Sequence, residues 1–357
     1  MRASRAIWSR FAAENHLAGG RFARLRQEAP NPLAQARLWF PAVKAIQIEE
    51  FGGPEKLQVV EVDDPTPGDG EVLVEVARSG INFADTHATR NDYLAEQTLP
   101  LIPGAEVSGR TPDGRRVAAL LGSGGYAEKV AVHEALLVPI PDEVDDDRAA
   151  ALLLQGLTAM ALVQRCARIE PGETLVVEAA AGGTGSLAVQ LGKRAGAKVI
   201  GLASSEEKRA LVKRLGADAT VDSRSEELGA AIREANGGAR VDAVLHMSGG
   251  EAFDEELGIL APLGRIVVFG IASREQREVS TGALLRGSKA VVGFWLAHLL
   301  MRRELVAPMI GELLSAVASG ELEATVGGVY PLSEAARAHE DLIGRRTSGK
   351  LLLDPSK

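Results

Sequence analysis

Residues 173–185 read Glu173-Thr-Leu-Val-Val-Glu-Ala-Ala-Ala-Gly-Gly-Thr-Gly185. The run Thr174–Ala179 has the apolar, β-branched composition of a buried strand, and Ser186–Ala195 has the periodicity of a helix. In the turn between them, one alanine and two glycines spaced A-x-x-G-x-x-G resemble the dinucleotide-binding fingerprint, with alanine in place of its first glycine: Ala179, Gly182 and Gly185. The stretch therefore predicts the first strand, turn and helix of a nucleotide-binding domain.

This turn is suited to a pyrophosphate, because small residues let the backbone approach the ligand closely. The helix that follows offers free N–H groups and the positive end of its dipole to the phosphates. The alternative is a tight turn between strand and helix that binds no ligand. The expected cofactor contacts in the turn are Ala180, Gly182, Gly183, Thr184 and Gly185.

The next predicted strand, Lys198–Ala203, indicates which dinucleotide is bound. A site for NADH places an acidic residue about 20 residues after the glycines, where it binds the ribose 2′-hydroxyl. Here the strand ends in Ser204-Ser205, with Lys208 and Arg209 shortly after. Hydroxyls and cations suit a 2′-phosphate, so the sequence favours NADPH over NADH. Glu206 argues for NADH, and the two cations have the alternative of a solvated helix face paired with neighbouring acids.

The rest of the chain shows two kinds of secondary-structure pattern, one β-rich and one that alternates strands with helices. Residues 44–140 are β-rich, and the last 60 residues contain a helix, Ala307–Ser319, followed by short strands. Between residues 165 and 295, strand-like runs alternate with helical segments, which predicts a parallel sheet covered by helices. The expected fold class is therefore α/β. The strand-like runs are Thr174–Ala179, Lys198–Ala203, Val241–His246, Arg265–Phe269 and Ala290–Phe294.

Composition excludes several classes of protein. The chain has 357 residues, of which 46% are hydrophobic and 25% charged, as in an ordinary globular protein of about two domains. No apolar run approaches about 18 residues, so we expect no membrane span. The single cysteine, Cys166, permits neither an internal disulfide nor a four-cysteine zinc site. A net charge of −8 gives no support to nucleic acid as a partner.

The charge is distributed unevenly along the chain. Residues 1–42 carry seven Arg and two Glu, a net charge of +5, whereas the remaining residues carry −13. This change in the sign of the charge indicates a boundary between residues 1–42 and the rest of the chain. We expect residues 1–42 to be a basic, disordered extension ahead of a natural protein start at Val43. An organellar transit peptide and a basic surface-binding arm are the alternatives. The protein itself is expected to be cytoplasmic.

Six segments together resemble the zinc-independent quinone oxidoreductase, or zeta-crystallin-like, group of medium-chain dehydrogenases/reductases. They are Ser79–Thr86, Pro103–Gly109, Gly124–Glu128, Leu154–Ala159, Ala179–Gly185 and Arg345–Leu351. The resemblance covers residues 44–354 and implies a GroES-like catalytic domain, 43–145 and 297–357, built from both chain ends. A Rossmann NADP-binding domain, 146–296, would be inserted between them. Dimers are usual for the group, often through the last Rossmann strand, so a homodimer is expected.

The resemblance also implies roles for particular residues. Asn82 and Tyr93 would line the substrate end of the cleft, near the nicotinamide, and Thr158 would contact the nicotinamide side. Lys208 and Arg345 would hold the 2′-phosphate. The expected cofactor-binding set is completed by Ser204, Ser205, Phe269 and Gly270.

Two positions depart from the group's pattern. Ser223 stands where some members have a tyrosine near the adenine, so that contact is missing. His246 stands where the group commonly has an aspartate. We expect His246 to be packed and hydrogen-bonded to structure rather than catalytic.

Neither zinc nor flavin is expected. Zinc enzymes of this superfamily use Cys and His ligands, whereas Cys166 lies in a predicted helix and the six His show no ligand spacing. Ala105 stands where those enzymes have a ligand His, and Glu106 alone does not make a site. Without a metal to act as Lewis acid, an acceptor that is already electrophilic is favoured over an alcohol.

Three functions remain open at this point. The first is reduction of a quinone by NADPH, and the second is reduction of an activated alkene such as an enone, an enal or an enoyl thioester. Both leave an oxyanion that needs hydrogen-bond donors, for which Asn82 and Tyr93 are the candidates. The third is a non-enzymatic NADPH-binding protein with a structural or nucleic-acid-binding role.

Overall fold

The computed structural model describes residues 42–92 and 94–357. Nearly all of the predicted extension, residues 1–41, and the candidate substrate residue Tyr93 lie outside the described residues. The described strands are β1 (Ala42–Gln47), β2 (Gln58–Asp63), β3 (Glu71–Ile81), β4 (Glu106–Arg110), β5 (Arg116–Leu120), β6 (Lys129–His133), β7 (Val138–Pro139), β8 (Thr174–Val177), β9 (Lys198–Ala203), β10 (Ala219–Asp222), β11 (Val241–His246), β12 (Leu260–Val268), β13 (Ala290–Gly293), β14 (Val326–Pro331) and β15 (Lys350–Asp354).

Helices connect most of these strands. The described α-helices are α1 (Phe83–Ala88), α2 (Asp146–Ala150), α3 (Leu153–Ala161), α4 (Gly183–Arg194), α5 (Glu206–Arg214), α6 (Leu228–Ala235), α7 (Glu251–Ile259), α8 (Thr281–Gly287), α9 (Leu296–Leu300), α10 (Arg303–Ala318) and α11 (Ala335–Ile343). A π-helical segment, Leu162–Cys166, continues α3. None of these described helices has the length and apolarity that crossing a membrane requires.

A six-stranded sheet surrounds β8, the strand that leads into the glycine turn. Its order is β10-β9-β8-β11-β12-β13, and every neighbouring pair is parallel. Numbered along the chain, the order is 3-2-1-4-5-6, which is that of a Rossmann sheet. The predicted doubly wound parallel sheet is confirmed.

Both faces of this sheet are buried, which explains the continuous apolar runs in the sequence. Leu175 and Val177 of β8 belong to one hydrophobic cluster, whereas Val176 between them belongs to another on the opposite face. All three side chains are fully buried. The carboxyl end of β8 is thereby held rigidly where the turn begins.

A second sheet is formed by both ends of the chain. Its order is β14-β15-β3-β4-β5-β7, and β6 also pairs with β3. The final strand β15 runs antiparallel to β3, so residues 350–354 complete a sheet that residues 71–81 begin. Strands from both ends of the chain thus share one sheet, as the expected catalytic domain requires.

The two sheets meet at the glycine turn. Gly349, just before β15, forms a parallel bridge with Gly182, and its N–H donates to the Ala181 carbonyl at 2.7 Å. Helix α10 packs against α3, where a Cβ on Gly156 would lie 3.1 Å from Leu313 Cδ1. The sheets lie within the predicted domains, and the boundaries at residues 145 and 296 stay predictions.

Candidate functional site

Two glycines of the turn differ in how strictly packing requires them. Helix α4 begins at Gly183, three residues before the predicted start at Ser186, because the turn itself forms the first helical turn. A Cβ on Gly185 would lie 2.2 Å from the Ala179 carbonyl oxygen. A Cβ on Gly182, which precedes the helix with φ −81°, would lie 3.2 Å from the same oxygen. Gly185 is thus needed to pack helix against strand, whereas a Cβ at Gly182 would require the Ala179 carbonyl to shift only slightly.

The turn has the donor chemistry of a phosphate site. Ala179, at the first position of the fingerprint, adopts φ 45° in the left-handed region that favours glycine. The first N–H groups of α4 have no acceptor within the helix, and Gly182, Gly183 and Thr184 are partly exposed. Ala180 is buried, with its N–H donating to the Leu202 carbonyl, so it lies beneath this surface.

A cleft of about 910 Å³ opens beside the carboxyl end of β9. Four predicted cofactor residues line it together: Ser204, Ser205, Lys208 and Arg345. Ser205 also begins α5, because its hydroxyl accepts the Lys208 N–H at 3.3 Å. The structure therefore brings the predicted 2′-phosphate residues of both domains into one cleft.

Lys208 and Arg345 form the cationic wall of this cleft. Lys208 Nζ donates to the Arg345 carbonyl oxygen at 2.6 Å. Burial, and then the neighbouring Arg345 charge, lower the pKa of Lys208. Bringing two like charges together is unfavourable without an anion, so this wall fits a phosphate.

Sequence reasoning missed further arginines in the cleft. Arg214, Arg224 and Arg346 also line it, together with Glu207. The Arg224 side chain bonds Asp222 and holds the pKa of that carboxyl down at about 2. Their signal in the sequence was weak, because arginines of this spacing are typical of any solvated surface.

Arg209 turns away from the phosphate wall. Its guanidinium contacts Asp222 at 3.1 Å and donates to the Ala203 carbonyl at 3.1 Å. Of the two cations that follow Ser205 in the sequence, Lys208 therefore lies against Arg345 and Arg209 has a structural role.

Asn82 lies at the centre of a buried polar network. Its Oδ1 accepts from Lys350 Nζ at 2.7 Å, and its Nδ2 donates to Glu106 Oε1 at 3.0 Å. Lys350 and Glu106 also form an ion pair, and both are buried. Glu106 Oε2 accepts the Leu154 N–H at 3.0 Å, which ties the network to the start of α3. The amide of Asn82 is thus engaged at both ends within this network, and its predicted contact with substrate stays a prediction.

A second series of buried hydrogen bonds fixes the loop that contains Asn82. The Asp85 carboxylate accepts the Asn82 backbone N–H at 2.8 Å and the Tyr126 hydroxyl at 3.0 Å. Burial raises the pKa of Asp85 to about 6. Tyr126 in turn contacts His339 Nε2 at 3.0 Å, and burial lowers the pKa of that imidazole to about 4. These residues hold the start of α1 in place.

The remaining predicted residues lie on helix α3 and directly after strand β12. Thr158 on α3 is buried, and its hydroxyl donates to the Leu154 carbonyl at 2.8 Å. Phe269 and Gly270 follow β12 and are half-buried, with the Phe269 N–H donating to the His246 carbonyl at 3.0 Å. They lie at the sheet edge where the glycine turn also lies.

The prediction for His246 is confirmed, since this residue is buried and hydrogen-bonded. The Gly249 N–H donates to Nε2 at 2.9 Å, so the proton is on Nδ1, which donates to Glu256 at 2.7 Å. Burial lowers the pKa of His246 and raises that of Glu256 well above its usual range. The sequence did not indicate that Glu256 would be the partner of this histidine.

Glu178, His246 and Glu256 place one ligand-type atom each within 4.8 Å of one another. Glu178 accepts the backbone N–H groups of Met247 and Ser248, so the group holds the loop after β11. The expectation that the protein uses neither zinc nor flavin stays a prediction.

Comparisons with known proteins agree with this architecture. Residues 68–142 match the family described as alcohol dehydrogenase GroES-like domain, and residues 183–314 match the one described as zinc-binding dehydrogenase. A quinone oxidoreductase of Pseudomonas aeruginosa is 35% identical over 324 residues, covering 87% of this chain and 99% of that protein. A 2-haloacrylate reductase of a Burkholderia species is 31% identical over 330 residues, covering 88% and 99%. The crystal structure of Escherichia coli quinone oxidoreductase complexed with NADPH aligns with a TM-score of 0.83 at 32% identity, covering 87% of this chain and 100% of that one.

A Rossmann sheet inserted into a GroES-like domain, with a glycine turn at their junction, defines a medium-chain dehydrogenase/reductase. Within that superfamily, the chain belongs to the zinc-independent quinone oxidoreductase group. The resemblance drawn from the six sequence segments is confirmed.

Proposed function

We propose that the protein reduces quinones at the expense of NADPH. The observation that carries this proposal is the pairing of a phosphate-suited glycine turn with the Lys208–Arg345 wall in the adjacent cleft. When bound, NADPH supplies a hydride from its nicotinamide ring. Relatives named quinone oxidoreductases, one of them solved with NADPH, support the assignment.

Different residues of the protein would bind different parts of NADPH. The backbone of Gly182, Gly183 and Thr184 would bind the pyrophosphate, and Lys208 with Arg345 would bind the 2′-phosphate. Ser204 and Ser205 would add hydroxyls beside that phosphate, whereas Thr158, Phe269 and Gly270 would border the nicotinamide. The two cations make NADPH the preferred cofactor, because NADH has no group to neutralise them.

The quinone would lie between the two domains, on the Asn82 side of the glycine turn. A reduced quinone carries an oxyanion, which needs a donor and then a proton. We propose Tyr93 as that donor, since a phenol with a pKa near 10 is protonated at neutral pH. Asn82 would act by fixing the position of its loop relative to the Lys350–Glu106 pair, through its hydrogen bonds to both residues.

Reduction of an activated alkene is the second candidate. The 2-haloacrylate reductase relative supports it, because that protein is named for an alkene substrate. The same alignment of donor and acceptor serves both reactions, so the acceptor pocket decides between them.

The test is NADPH oxidation by the full-length chain with para-benzoquinone, phenanthrenequinone and an α,β-unsaturated ketone in parallel. NADH serves as the cofactor control. Turnover of quinones with NADPH is the expected result. Turnover of the ketone alone would replace the quinone assignment with alkene reduction, and tight NADPH binding without turnover of any acceptor would favour a non-enzymatic role.

Lys208→Ala is expected to weaken NADPH binding about 10- to 100-fold, because it removes a charged hydrogen-bond donor to the 2′-phosphate. NADH binding should change by less than about 2-fold, since NADH lacks that phosphate. Calorimetric titration of both cofactors measures the difference. Arg209→Ala is the matched control, because its guanidinium bonds Asp222 and the Ala203 carbonyl instead. Equal losses for both cofactors in Lys208→Ala would refute the 2′-phosphate assignment.

A homodimer through the Rossmann sheet is also proposed. Strand β13 is at the edge of the sheet, and Leu263 and Leu285 nearby are 83% and 81% exposed. Exposed strand edges and large apolar side chains mark association surfaces. Sedimentation should give the mass of two chains for the wild type and of one chain for Leu263→Asp/Leu285→Asp. A wild-type protein that sediments as a monomer would contradict the proposal.

A further inference from the structure

We propose that Gln155 binds the nicotinamide-side ribose of NADPH, an inference that rests on the function proposed above. Gln155 lies on α3 and is 9% exposed, yet its Oε1 has no hydrogen-bond partner in the described part of the chain. Its carboxamide covers the first turn of α4, since a Cβ built on Gly183 would lie 1.6 Å from that oxygen. A buried acceptor without a donor is unfavourable, and no described residue supplies one, so this oxygen is suited to a donor on a bound ligand.

The direction in which Gln155 points is fixed by two charges. Lys350 only donates hydrogen bonds, and an ionised Glu106 only accepts them. Lys350 donates to Asn82 Oδ1 and Glu106 accepts from Asn82 Nδ2, so the amide of Asn82 has one orientation. Gln155 Nε2 faces Asn82 Oδ1 at 3.4 Å, and exchanging its two amide atoms would bring two oxygens together. Gln155 Oε1 is consequently directed at the glycine turn.

The chemistry of a dinucleotide limits what this oxygen can bind. A pyrophosphate carries no donor at neutral pH, so it is not the partner of an acceptor. The adenosine half belongs to the cleft of Ser204, Lys208 and Arg345. Gln155 lies on the other side of the turn, toward Asn82, where the nicotinamide half would continue. Along the cofactor from the pyrophosphate toward the nicotinamide, the first hydrogen-bond donors are the hydroxyls of the nicotinamide-side ribose.

The inference is tested by binding, with two ligands that differ in their nicotinamide half. Gln155→Met keeps the size of the side chain and removes the acceptor. NADPH should bind about 10-fold more weakly, equivalent to about 1.4 kcal/mol. Adenosine 2′,5′-bisphosphate, which lacks the nicotinamide riboside, should bind within about 2-fold of wild type.

Gln190→Met is the matched control. Gln190 lies on the same helix as the glycine turn and exchanges hydrogen bonds with the Glu323 backbone at 2.8 and 3.0 Å. Its loss removes a structural bond of the same chemistry, and both affinities should stay at the wild-type value.

Each other outcome overturns a specific claim. Equal weakening of both ligands by Gln155→Met would assign Gln155 a structural role, and unchanged NADPH affinity would exclude the ribose contact. A wild-type protein that binds no NADPH would overturn the proposed function itself. If Gln155→Met does not fold, wild-type protein is titrated with NADPH lacking both hydroxyls of the nicotinamide ribose. The contact predicts a loss of about 10-fold for this analogue, and equal affinity would exclude it.

Discussion

Gly182→Asp is expected to fold normally and to bind NADPH about 1000-fold more weakly, from a repulsion of about 4 kcal/mol between the new carboxylate and a phosphate at about 4 Å. The fold should tolerate the change, because φ at Gly182 is −81°, which any residue adopts, and the close contact of a Cβ with the Ala179 carbonyl oxygen, 3.2 Å, needs only a small shift. Aspartate is also a favoured residue immediately before a helix. Thermal unfolding should therefore show at most a small loss of stability, while calorimetry shows the loss of NADPH binding.

Two companion variants separate charge, size and packing at the turn. Gly182→Asn has the size of aspartate without its charge, and it should retain most of the affinity that Gly182→Asp loses. Gly185→Ala should destabilise the protein, because its Cβ would lie 2.2 Å from the Ala179 carbonyl. A folded Gly182→Asp protein with wild-type NADPH affinity would show that the phosphates do not bind at this turn.

The nucleotide-binding unit was predictable because its information is local. The strand, the small-residue turn and the helix occupy consecutive residues, and each has a composition typical of its conformation. Strands β9 and β11 have the bounds that the sequence predicts, Lys198–Ala203 and Val241–His246. The helix start was misplaced at Ser186, because the glycines that weaken helix propensity elsewhere form its first turn here.

The polar network at the domain junction was not predictable in the same way. A lone lysine such as Lys350 is ordinarily a surface residue. Its partner Glu106 is 244 positions away, and the two come together because β15 pairs with β3 and β3 pairs with β4. Asn82 was correctly placed in the loop beside the site, but its orientation depends on both of those residues. Its predicted contact with substrate therefore remains untested, whereas its role in the network is visible.

Lys350→Met is expected to destabilise the protein by about 3–5 kcal/mol, because it leaves Glu106 buried without its counter-charge. Both side chains are almost completely inaccessible, with exposures of 0% and 1%. Methionine preserves the length of the lysine stem, so lost packing contributes little to the effect. Urea unfolding, followed by both fluorescence and circular dichroism to test whether the transition is two-state, measures the change.

Two further variants distinguish the contribution of the buried ion pair to stability from other effects of the substitution. Lys56→Met removes a half-buried lysine paired with the exposed Glu50, and it should cost less than about 1 kcal/mol. Lys350→Met/Glu106→Gln removes both buried charges and should recover most of the loss, since what destabilises is the unpaired carboxylate. If Lys350→Met were as stable as Lys56→Met, the buried pair would carry no net stabilisation. Because the same pair orients Asn82 and through it Gln155, the double variant should regain stability without regaining full NADPH affinity.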